Sequence, residues 1–493
     1  MVVSLIASVY QYKNKLGIGC DSDLLFRNKH DMMFFKNTTT KMTRNYKGTF
    51  PNVVVMGRKT YQSIPEHFRP LANRINFVLT TNKALYNCTK KTTVFIAKKV
   101  YYMNFKTFNK LHKIHDFNIF VAGGGEIYNY FLDSSNGLLP DYLYITEVTK
   151  KLVKVPTVFM NHFSGGEYAL DGHSSLDIGV TALYYSRSTK GSQEHKYLNL
   201  MEDILRNGNT RDDRTGTGTI SVFGRSMRFD ISKSIPLLTT KRVPFKMVLE
   251  ELLWFCRGDT DAKLLQEKGI HIWDGNTSRE FLDGRDLTWY PEGVLGAGYG
   301  WQFRFSGASY HPDYADTSKL TPELRATIGG FDQLGYVENL LKTDPMSRRI
   351  MISIWNPIDF EKTALVPCHF CIMFYVKINS CGEKILNAQF VMRSNDVLLG
   401  NPFNIASYAT LVYILAKRCG MKPGELLYTG NDVHIYSNHL EAVATQLLRD
   451  PRPLPTISVS ASVIDKDWSE ITTDDVKLIG YFPHAGIKAK MAI

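Results

Sequence analysis

The apolar pattern of this chain changes character once, across the short polar stretch Ser186–Ser192 (S-R-S-T-K-G-S), and that change dictates two folding units of different class. Before it, Val2–Tyr10, Asn52–Met56, Ile75–Thr80, Thr92–Ala97 and Asn118–Ala122 are short runs rich in Val, Ile and Phe, bounded by turn residues. Amphipathic stretches such as Asp31–Thr39 and Glu126–Leu132 lie between them, and further strands are predicted at Tyr142–Glu147 and Gly179–Arg187. This alternation predicts an α/β unit, a mostly parallel sheet with flanking helices. After the change, helical periodicity dominates at His195–Arg206, Lys246–Arg257, Asn404–Cys419 and Ser437–Arg449. Strands are predicted at Arg349–Trp355, Cys371–Lys377 and Asn387–Arg393, which makes the larger second unit α+β. The expected domains are residues 1–190 and 193–493, each long enough for its own core.

Hydrophobic residues make up 44% of the chain and charged residues 22%, so a globular protein is expected and a disordered one is not. No apolar run approaches the roughly 20 residues that span a bilayer, and no membrane partner is expected. Met1–Tyr12 lacks a basic leader and a long apolar run, so it reads as a first strand. Seven cysteines (Cys20, Cys88, Cys256, Cys368, Cys371, Cys381, Cys419) are scattered and odd in number. That argues against a disulfide framework and for a reducing compartment, taken as cytoplasmic. Cys368 and Cys371 form one C-x-x-C without a second ligand pair, so no metal is expected.

The charge is lopsided. Residues 1–190 carry 25 Lys and Arg against 12 Asp and Glu, whereas the rest carry 34 against 35. Such an excess either draws anionic small molecules or simply keeps the unit soluble. With no aromatic-interleaved basic stretch or helix-turn-helix pattern, nucleic acid is not an expected partner.

Chemistry in the first segment concentrates at two turns. V-A-G-G-G-E-I-Y (121–128) places three glycines after a strand and before a helix, where a backbone can approach a pyrophosphate. V-M-G-R-K-T (55–60) repeats the strand–glycine–helix order with Arg58, Lys59 and Thr60 near the phosphates. Each alone is also a plain tight turn, but two in one βαβ unit fit a dinucleotide better. Asp31 opens D-M-M-F-F-K and is either a helix N-cap or a carboxylate held in an apolar pocket beside a heterocycle.

S-L-I-A-S (4–8), L-G-I-G (16–19), Asp31, V-M-G-R-K-T, R-P-L-A-N-R-I-N-F-V-L-T (69–80) and V-A-G-G-G-E-I-Y together resemble the dihydrofolate reductases, in order and spacing, over nearly the whole segment. The resemblance implies NADPH as hydride donor, held by Ala7, Ile18, Gly19, Gly57, Arg58, Lys59, Thr60, Thr80, Thr81, Gly123, Gly124, Gly125 and Glu126. It implies that Asp31 bonds the amino-pyrimidine edge of the pterin and assists N5 protonation. It makes Arg74 the grip on the folate glutamate carboxylate and Ile6, Ala7, Phe35, Tyr128 and Thr146 the folate pocket. One departure is Leu24-Leu25-Phe26, where the family usually has Leu-Pro-Trp. The missing indole N–H normally reaches folate through water.

In the second segment V-P-C-H-F (366–370) offers a thiol beside Pro and His. Cys368 is either a packed core thiol or a nucleophile, and a nucleophile needs cations to lower its pKa. Arg214, Arg348, Arg349 and Arg393 supply them, and the same four would bind a dianionic phosphate.

R-S-N-D-V-L-L-G-N-P-F-N-I-A-S-Y (393–408), with E-E-L-L-W-F (250–255), H-I-W-D-G-N (271–276), G-N-D-V-H-I-Y-S-N-H (430–439) and the ending G-I-K-A-K-M-A-I, closely resembles the thymidylate synthases from about Glu194 to the last residue. The resemblance implies that the Cys368 thiolate adds to C6 of dUMP. It implies a dUMP site of Arg214, His369, Met392, Arg393, Ser394, Asn395, Asp396, Asn404, His434, Ile435 and Tyr436. Arg348 and Arg349 would reach in from the other subunit of a homodimer formed through this half. Asn404 would read O4 and N3–H of uracil, and His434 and Tyr436 would hold the deoxyribose hydroxyl. Glu251, Tyr299 and Asn404 would organise proton transfers. Trp273, Asp396, Leu399, Gly400, Phe403 and Ile493 would enclose 5,10-methylenetetrahydrofolate.

Departures here are Met392 for Gln, Val294 for Asp and Ala485 for Pro. The two halves together read as a bifunctional fusion. One oxidises the folate to dihydrofolate while making dTMP, and the other reduces it again. A pyrimidine hydroxymethylase fused to a reductase is the alternative, as is a binding protein with dead sites. Asn404, not Asp, argues for uracil over cytosine, and hydroxymethylation would leave the fused reductase without a local substrate. The retained Asp31, Glu251, Cys368 and Asn404 argue against dead sites.

Overall fold

Val53, Val54, Val55, Ile75, Phe77 and Val78 are all fully buried, as strands need to be when a parallel sheet is covered on both faces. The computed structural model describes the chain apart from residues 1, 22, 41–43, 46, 47, 50, 51, 90–94, 96–98, 115, 116, 137, 188–191, 492 and 493. The chain divides into two compact units, Met1–Ser192 with Pro451–Pro453, and Gln193–Asp450 with Leu454–Ile493.

In the first unit the main strands are β1 (Val2–Tyr12), β2 (Asn52–Gly57), β3 (Ile75–Leu79), β4 (Val100–Met103), β5 (Asn118–Val121), β6 (Tyr142–Val148), β7 (Tyr168–Asp177) and β8 (Val180–Arg187). They lie in the order β7-β8-β6-β1-β5-β2-β3-β4. From β6 to β4 every pairing is parallel, and β8 and β7 add an antiparallel edge. The main helices are α1 (Lys29–Thr40), α2 (Arg58–Ser63), α3 (Phe105–Ile114) and α4 (Gly125–Leu132). β1 pairs with β6 so that Ser8 stands beside Thr146. Of the predicted strand Thr92–Ala97 only Phe95 is among the described residues, and it packs its ring against Phe77 and Tyr101. β4 and α3 were not expected. β4 is only four residues long, and α3 carries its buried Phe108 and Leu111 among lysines and polar residues.

The second unit is built on β9 (Asn209–Arg211), β10 (Thr219–Asp230), β11 (Met351–Ser353), β12 (His369–Ile378), β13 (Lys384–Asp396) and β14 (Lys422–Tyr436), in the order β9-β10-β14-β13-β12-β11. Only β13 and β14 pair in parallel. The helices that matter for the site are α5 (His195–Asn207), α6 (Phe245–Arg257), α7 (Tyr299–Phe305), α8 (Gln333–Thr343) and α9 (Gly400–Arg418). α9 buries Ala406, Ala409, Leu411, Val412, Ile414 and Leu415 and packs against β13, β14 and α6.

The α+β class is as expected, but the two longest strands of that unit apart from β13 were not foreseen. β10 runs for 12 residues through Gly224, and β14 for 15 through Pro423, Gly424 and N-D (431–432). Those residues ordinarily punctuate loops. Pairing on both edges overrides that preference, and at Gly430 a Cβ would sit 2.0 Å from the Tyr428 hydroxyl. α9 starts at Gly400 and not Asn404, because Pro402 falls in the first turn, where a missing N–H costs nothing. Ser437–Arg449 divides into a 3₁₀ turn, Ser437–His439, and a helix, Leu440–Leu447.

One buried charge network ties this unit together. Glu338 on α8 accepts from Arg418 at 3.0 Å, Lys342 at 2.6 Å and the Trp468 indole at 2.9 Å. Arg418 lies over the Trp468 ring, 4.9 Å from its centroid, with both charged side chains about nine-tenths buried. Removing one partner from such a pair leaves a buried charge uncompensated. Glu338→Ala is therefore expected to cost about 3–5 kcal/mol. All six tryptophans lie in this unit, so urea unfolding followed by their fluorescence reads it selectively. A loss under about 1 kcal/mol would contradict the account.

Candidate active sites

In the first unit Asn28 Oδ1 accepts the backbone N–H groups of His30 at 2.9 Å and Asp31 at 3.0 Å. Asn28 thus caps α1, and Asp31, inside the first turn, is not the cap. The Asp31 carboxylate instead accepts the Ser8 hydroxyl, at 3.0 Å on one oxygen and 2.9 Å on the other. Burial pushes the Asp31 carboxyl up, and the hydroxyls of Thr146 and Ser8 draw it part of the way back.

Ile6, Ala7, Tyr128 and Thr146 are buried around it, and the Tyr128 hydroxyl donates to the Ile6 carbonyl at 2.7 Å. The Arg74 guanidinium lies 5.8 Å from the Phe35 ring centroid. It is fixed from behind, donating to Thr39 Oγ1 at 2.6 Å and to the Ala72 carbonyl at 2.9 Å.

The two glycine turns come together. The Gly57 N–H donates to the Gly123 carbonyl at 3.1 Å. Gly123 and Gly124 have φ of +139° and +80°, and a Cβ on Gly123 would meet Thr60 Cγ2 at 2.7 Å. A Cβ on Gly125 would meet the Phe159 carbonyl oxygen at 2.5 Å. A side-chain-free cradle at the start of α4 fits a pyrophosphate. Arg58, Lys59 and Thr60 open α2 beside it, and Glu126 is exposed on the first turn of α4. Thr80 and Thr81 follow β3, while Ile18 and Gly19 lie on the hairpin strand Lys15–Cys20.

In the second unit Cys368 immediately precedes β12. Its N–H donates to the Tyr299 hydroxyl at 2.9 Å, and Arg393 Nη2 lies 3.8 Å from its Sγ. Arg393 also braces the turn, donating to the carbonyls of Pro367 at 2.9 Å and Val366 at 2.7 Å. The arginines were expected to lower the thiol pKa. In the single chain burial wins and pushes it up, with Arg393, Tyr299 and Arg214 opposing.

His369 is buried, meets the Tyr408 hydroxyl at 2.6 Å, and is held neutral by burial, its pKa pushed down to about 3. Glu251 on α6 accepts the Trp273 indole N–H at 2.9 Å, and burial raises its carboxyl to about 7. Arg214 is exposed over Phe281.

The pairing of β13 with β14 sets Ser394 opposite Asp432 and Asp396 opposite His434. Tyr436 follows on β14, with its ring 5.1 Å from that of His434. Asn404, Phe403 and Gly400 line up on the first turns of α9, next to Leu399. Three expected nucleotide residues have core side chains. Met392 and Ile435 are buried among apolar groups, and Asn395 is bonded to Asn401 and Tyr428. Arg348 and Arg349 are exposed, away from this cluster in sequence and without an ion pair to a described residue. Ile493 lies outside the described residues. Ala485 is held through its carbonyl, which accepts from Arg449 at 2.7 Å, so the loss of a proline ring there leaves the contact intact.

Several residues beside these sites escaped the sequence reading. Ser8 shares a strand face with Ile6, so alternation alone pointed to it. Tyr408 and Thr39 gave no sequence signal. Lys241 is buried, donates to the Leu398 carbonyl, and has its pKa pushed down to about 8. Among the described residues no three His, Cys, Asp or Glu side chains cluster as a metal site would require, and no helix is long and apolar enough to cross a membrane.

Known families match both units. The dihydrofolate reductase family matches residues 3–178 and the thymidylate synthase family residues 195–493. Bifunctional dihydrofolate reductase-thymidylate synthases from Zea mays and Leishmania major are each 37% identical over 97% of this chain, covering 95% and 93% of those proteins. The Glycine max relative is 38% identical over 97% of the chain and 93% of its own length. The chain therefore belongs to the bifunctional dihydrofolate reductase–thymidylate synthase family.

The raised Glu251 carboxyl carries a pH signature. Its folded value lies above the ordinary one, so its contribution to stability is complete below about pH 4.5 and is lost as pH rises through about 7. Relative to the parent, Glu251→Gln should be more stable at pH 8 than at pH 5, by up to about 3 kcal/mol. Urea midpoints of the tryptophan signal at the two pH values test this, and an offset independent of pH would contradict it.

Proposed function

We propose that residues 193–493 methylate dUMP to dTMP with 5,10-methylenetetrahydrofolate, and that residues 1–190 reduce the resulting dihydrofolate to tetrahydrofolate with NADPH. The observation that carries this reading is Cys368 held against Tyr299 and Arg393, with the buried Glu251 bonded to Trp273, whose ring lies 5.5 Å from that of Tyr299, on a chain whose other unit holds a half-buried Asp31 against Ser8. Cys368 is the nucleophile. Its sulfur bonds to C6 of the uracil, and the electron pair of the C5–C6 double bond moves to C5, which then takes the one-carbon unit.

Arg393 anchors the nucleotide phosphate together with Arg214 and Ser394. Asn404 pairs with the base. His434 and Tyr436 hold the sugar. Glu251, with a carboxyl poised near neutrality, moves protons through water with Tyr299 and Asn404. Trp273, Asp396, Leu399, Gly400, Phe403 and Ile493 enclose the folate. Met392, Asn395 and Ile435 act from behind, since their side chains are almost wholly inaccessible, and His369 does so through its contact with the Tyr408 hydroxyl.

In the reductase site NADPH, when bound, supplies a hydride. The chain's own part is to orient and protonate. Gly57–Thr60, Thr80, Thr81 and Gly123–Glu126 would hold the dinucleotide, with Ala7, Ile18 and Gly19 completing its site. Asp31 bonds the pterin edge and helps deliver a proton to N5, Arg74 binds the glutamate carboxylate, and Ile6, Phe35, Tyr128 and Thr146 exclude water.

The protein acts as a homodimer through the synthase half, and Arg348 and Arg349 serve the phosphate of the other subunit. Their exposure, and the lack of an acidic partner among the described residues, support this. So do the exposed Tyr375, Met351 and Trp355 on and beside the β11–β12 edge of the sheet. The free cysteines favour a reducing, cytoplasmic setting.

Cys368→Ser should lower dTMP formation by about a thousandfold or more, because a serine alkoxide is scarcely formed at neutral pH. NADPH-dependent reduction of added dihydrofolate should stay near the parent rate. Retention of most synthase turnover in that variant would remove Cys368 as the nucleophile.

A further inference from the structure

Asp432 and His434 stand two residues apart on one face of β14. His434 Nδ1 lies 3.0 Å from Asp432 Oδ1, and the other carboxylate oxygen accepts from Arg211 at 2.7 Å. The His434 side chain is 8% exposed and the Arg211 side chain 59%, so the chain of contacts runs from solvent to the buried ring. We propose that Asp432, anchored by Arg211, is a positioning residue that fixes His434 with its proton on Nδ1, so that Nε2 presents a lone pair and selects a hydrogen-bond donor at C3′ of the nucleotide.

This rests on the reading of His434 as the sugar contact. dUMP carries one free sugar hydroxyl, at C3′, so that hydroxyl is the donor concerned. An ionised carboxylate only accepts. The Asp432 carboxyl is held below its usual range, first by its bond to His434 and, against burial, by the Arg211 charge and Ser221. With Asp432 accepting at Nδ1, a neutral imidazole has only Nε2 left, and there it accepts.

The backbone that carries the ring is held on both sides. β14 is paired on both edges at this point, with Ser221 opposite His434 on β10 and Asp396 opposite it on β13. The Val397 N–H donates to the His434 carbonyl at 2.9 Å. Arg211 in turn takes the second carboxylate oxygen, which keeps Oδ1 aimed at the ring. Asp213, the other carboxylate whose charge is felt at His434, is occupied by Thr215 and the Gly218 N–H.

The experiment compares dUMP with its 3′-deoxy analogue, 2′,3′-dideoxyuridine 5′-monophosphate, by binding to the full-length protein. It also reads the ¹⁵N shifts of His434 to find which nitrogen carries the proton. In the parent, Nδ1 is expected to be protonated, and dUMP should bind about tenfold more tightly than the analogue. In Asp432→Asn the side-chain amide can donate to Nδ1, so the proton should move to Nε2 and the preference for the hydroxyl should shrink severalfold. Analogue binding should stay unchanged, which a merely structural lesion would not allow. His434→Ala separates the two layers. If the parent prefers dUMP and His434→Ala abolishes that preference, the sugar contact stands. Asp432→Asn retaining the full preference would then overturn this inference alone, as would a parent His434 with its proton on Nε2. A parent that does not discriminate between the two ligands would overturn both.

Discussion

The parallel pairing of Lys384–Asp396 with Lys422–Tyr436 is the constraint on which the synthase site depends. A strand has a period of two, so a slip by one residue would exchange the faces of every side chain on it. In the observed register Ser394 meets Asp432 and Asp396 meets His434, while Ile435, on the other face from His434, turns into the core. The antiparallel pairing of Lys384–Asp396 with His369–Ile378 brings Arg393 against the turn that carries Cys368. Central burial holds it. Phe390, Val433 and Ile435 are essentially inaccessible, and Gly400–Arg418 covers the sheet with an almost wholly buried helix.

Desolvation does the chemical tuning in both units. Asp31 and Glu251 are carboxyls pushed up by burial, each answered by only one or two neutral donors: Ser8 and Thr146 for the first, the Trp273 indole for the second. No arginine among the described residues neutralises either, as a structural ion pair would. Glu338 gives the contrast. It too is buried, but Arg418 and Lys342 hold its carboxyl below the ordinary range, and its work is to tie α8 to α9 and Trp468. The difference between a structural and a reactive buried carboxylate here is the charge of its partner.

Much of this was legible in the sequence because catalytic groups sit at the ends of strongly patterned elements. V-A-G-G-G-E-I-Y announced its turn, since only glycine tolerates the approach of Thr60 and the Phe159 carbonyl. The thiol of V-P-C-H-F and the arginine of the R-S-N-D motif were visible as chemistry, though not their balance. Burial of Cys368 outweighs the arginines in one chain, and burial is a tertiary quantity that spacing does not report. Lys422–Tyr436 was missed for a different reason. Its Pro, Gly, Asn and Asp residues favour turns locally, and only pairing along both edges makes it a strand. Asn28 displaced Asp31 as the cap of the first helix because an Asn three residues upstream reaches the same N–H groups, a competition that local propensity leaves open.

The central claim is that one chain closes a folate cycle, in which the synthase half oxidises the folate and the reductase half restores it. The most direct measurement supplies the purified full-length protein with dUMP, excess 5,10-methylenetetrahydrofolate and NADPH, then follows dTMP and NADPH together. The account predicts that each dTMP formed is matched by one NADPH oxidised once the first dihydrofolate has appeared, and that withholding dUMP stops both. Accumulation of a hydroxymethylated nucleotide without NADPH oxidation, or NADPH oxidation that ignores dUMP, would contradict it.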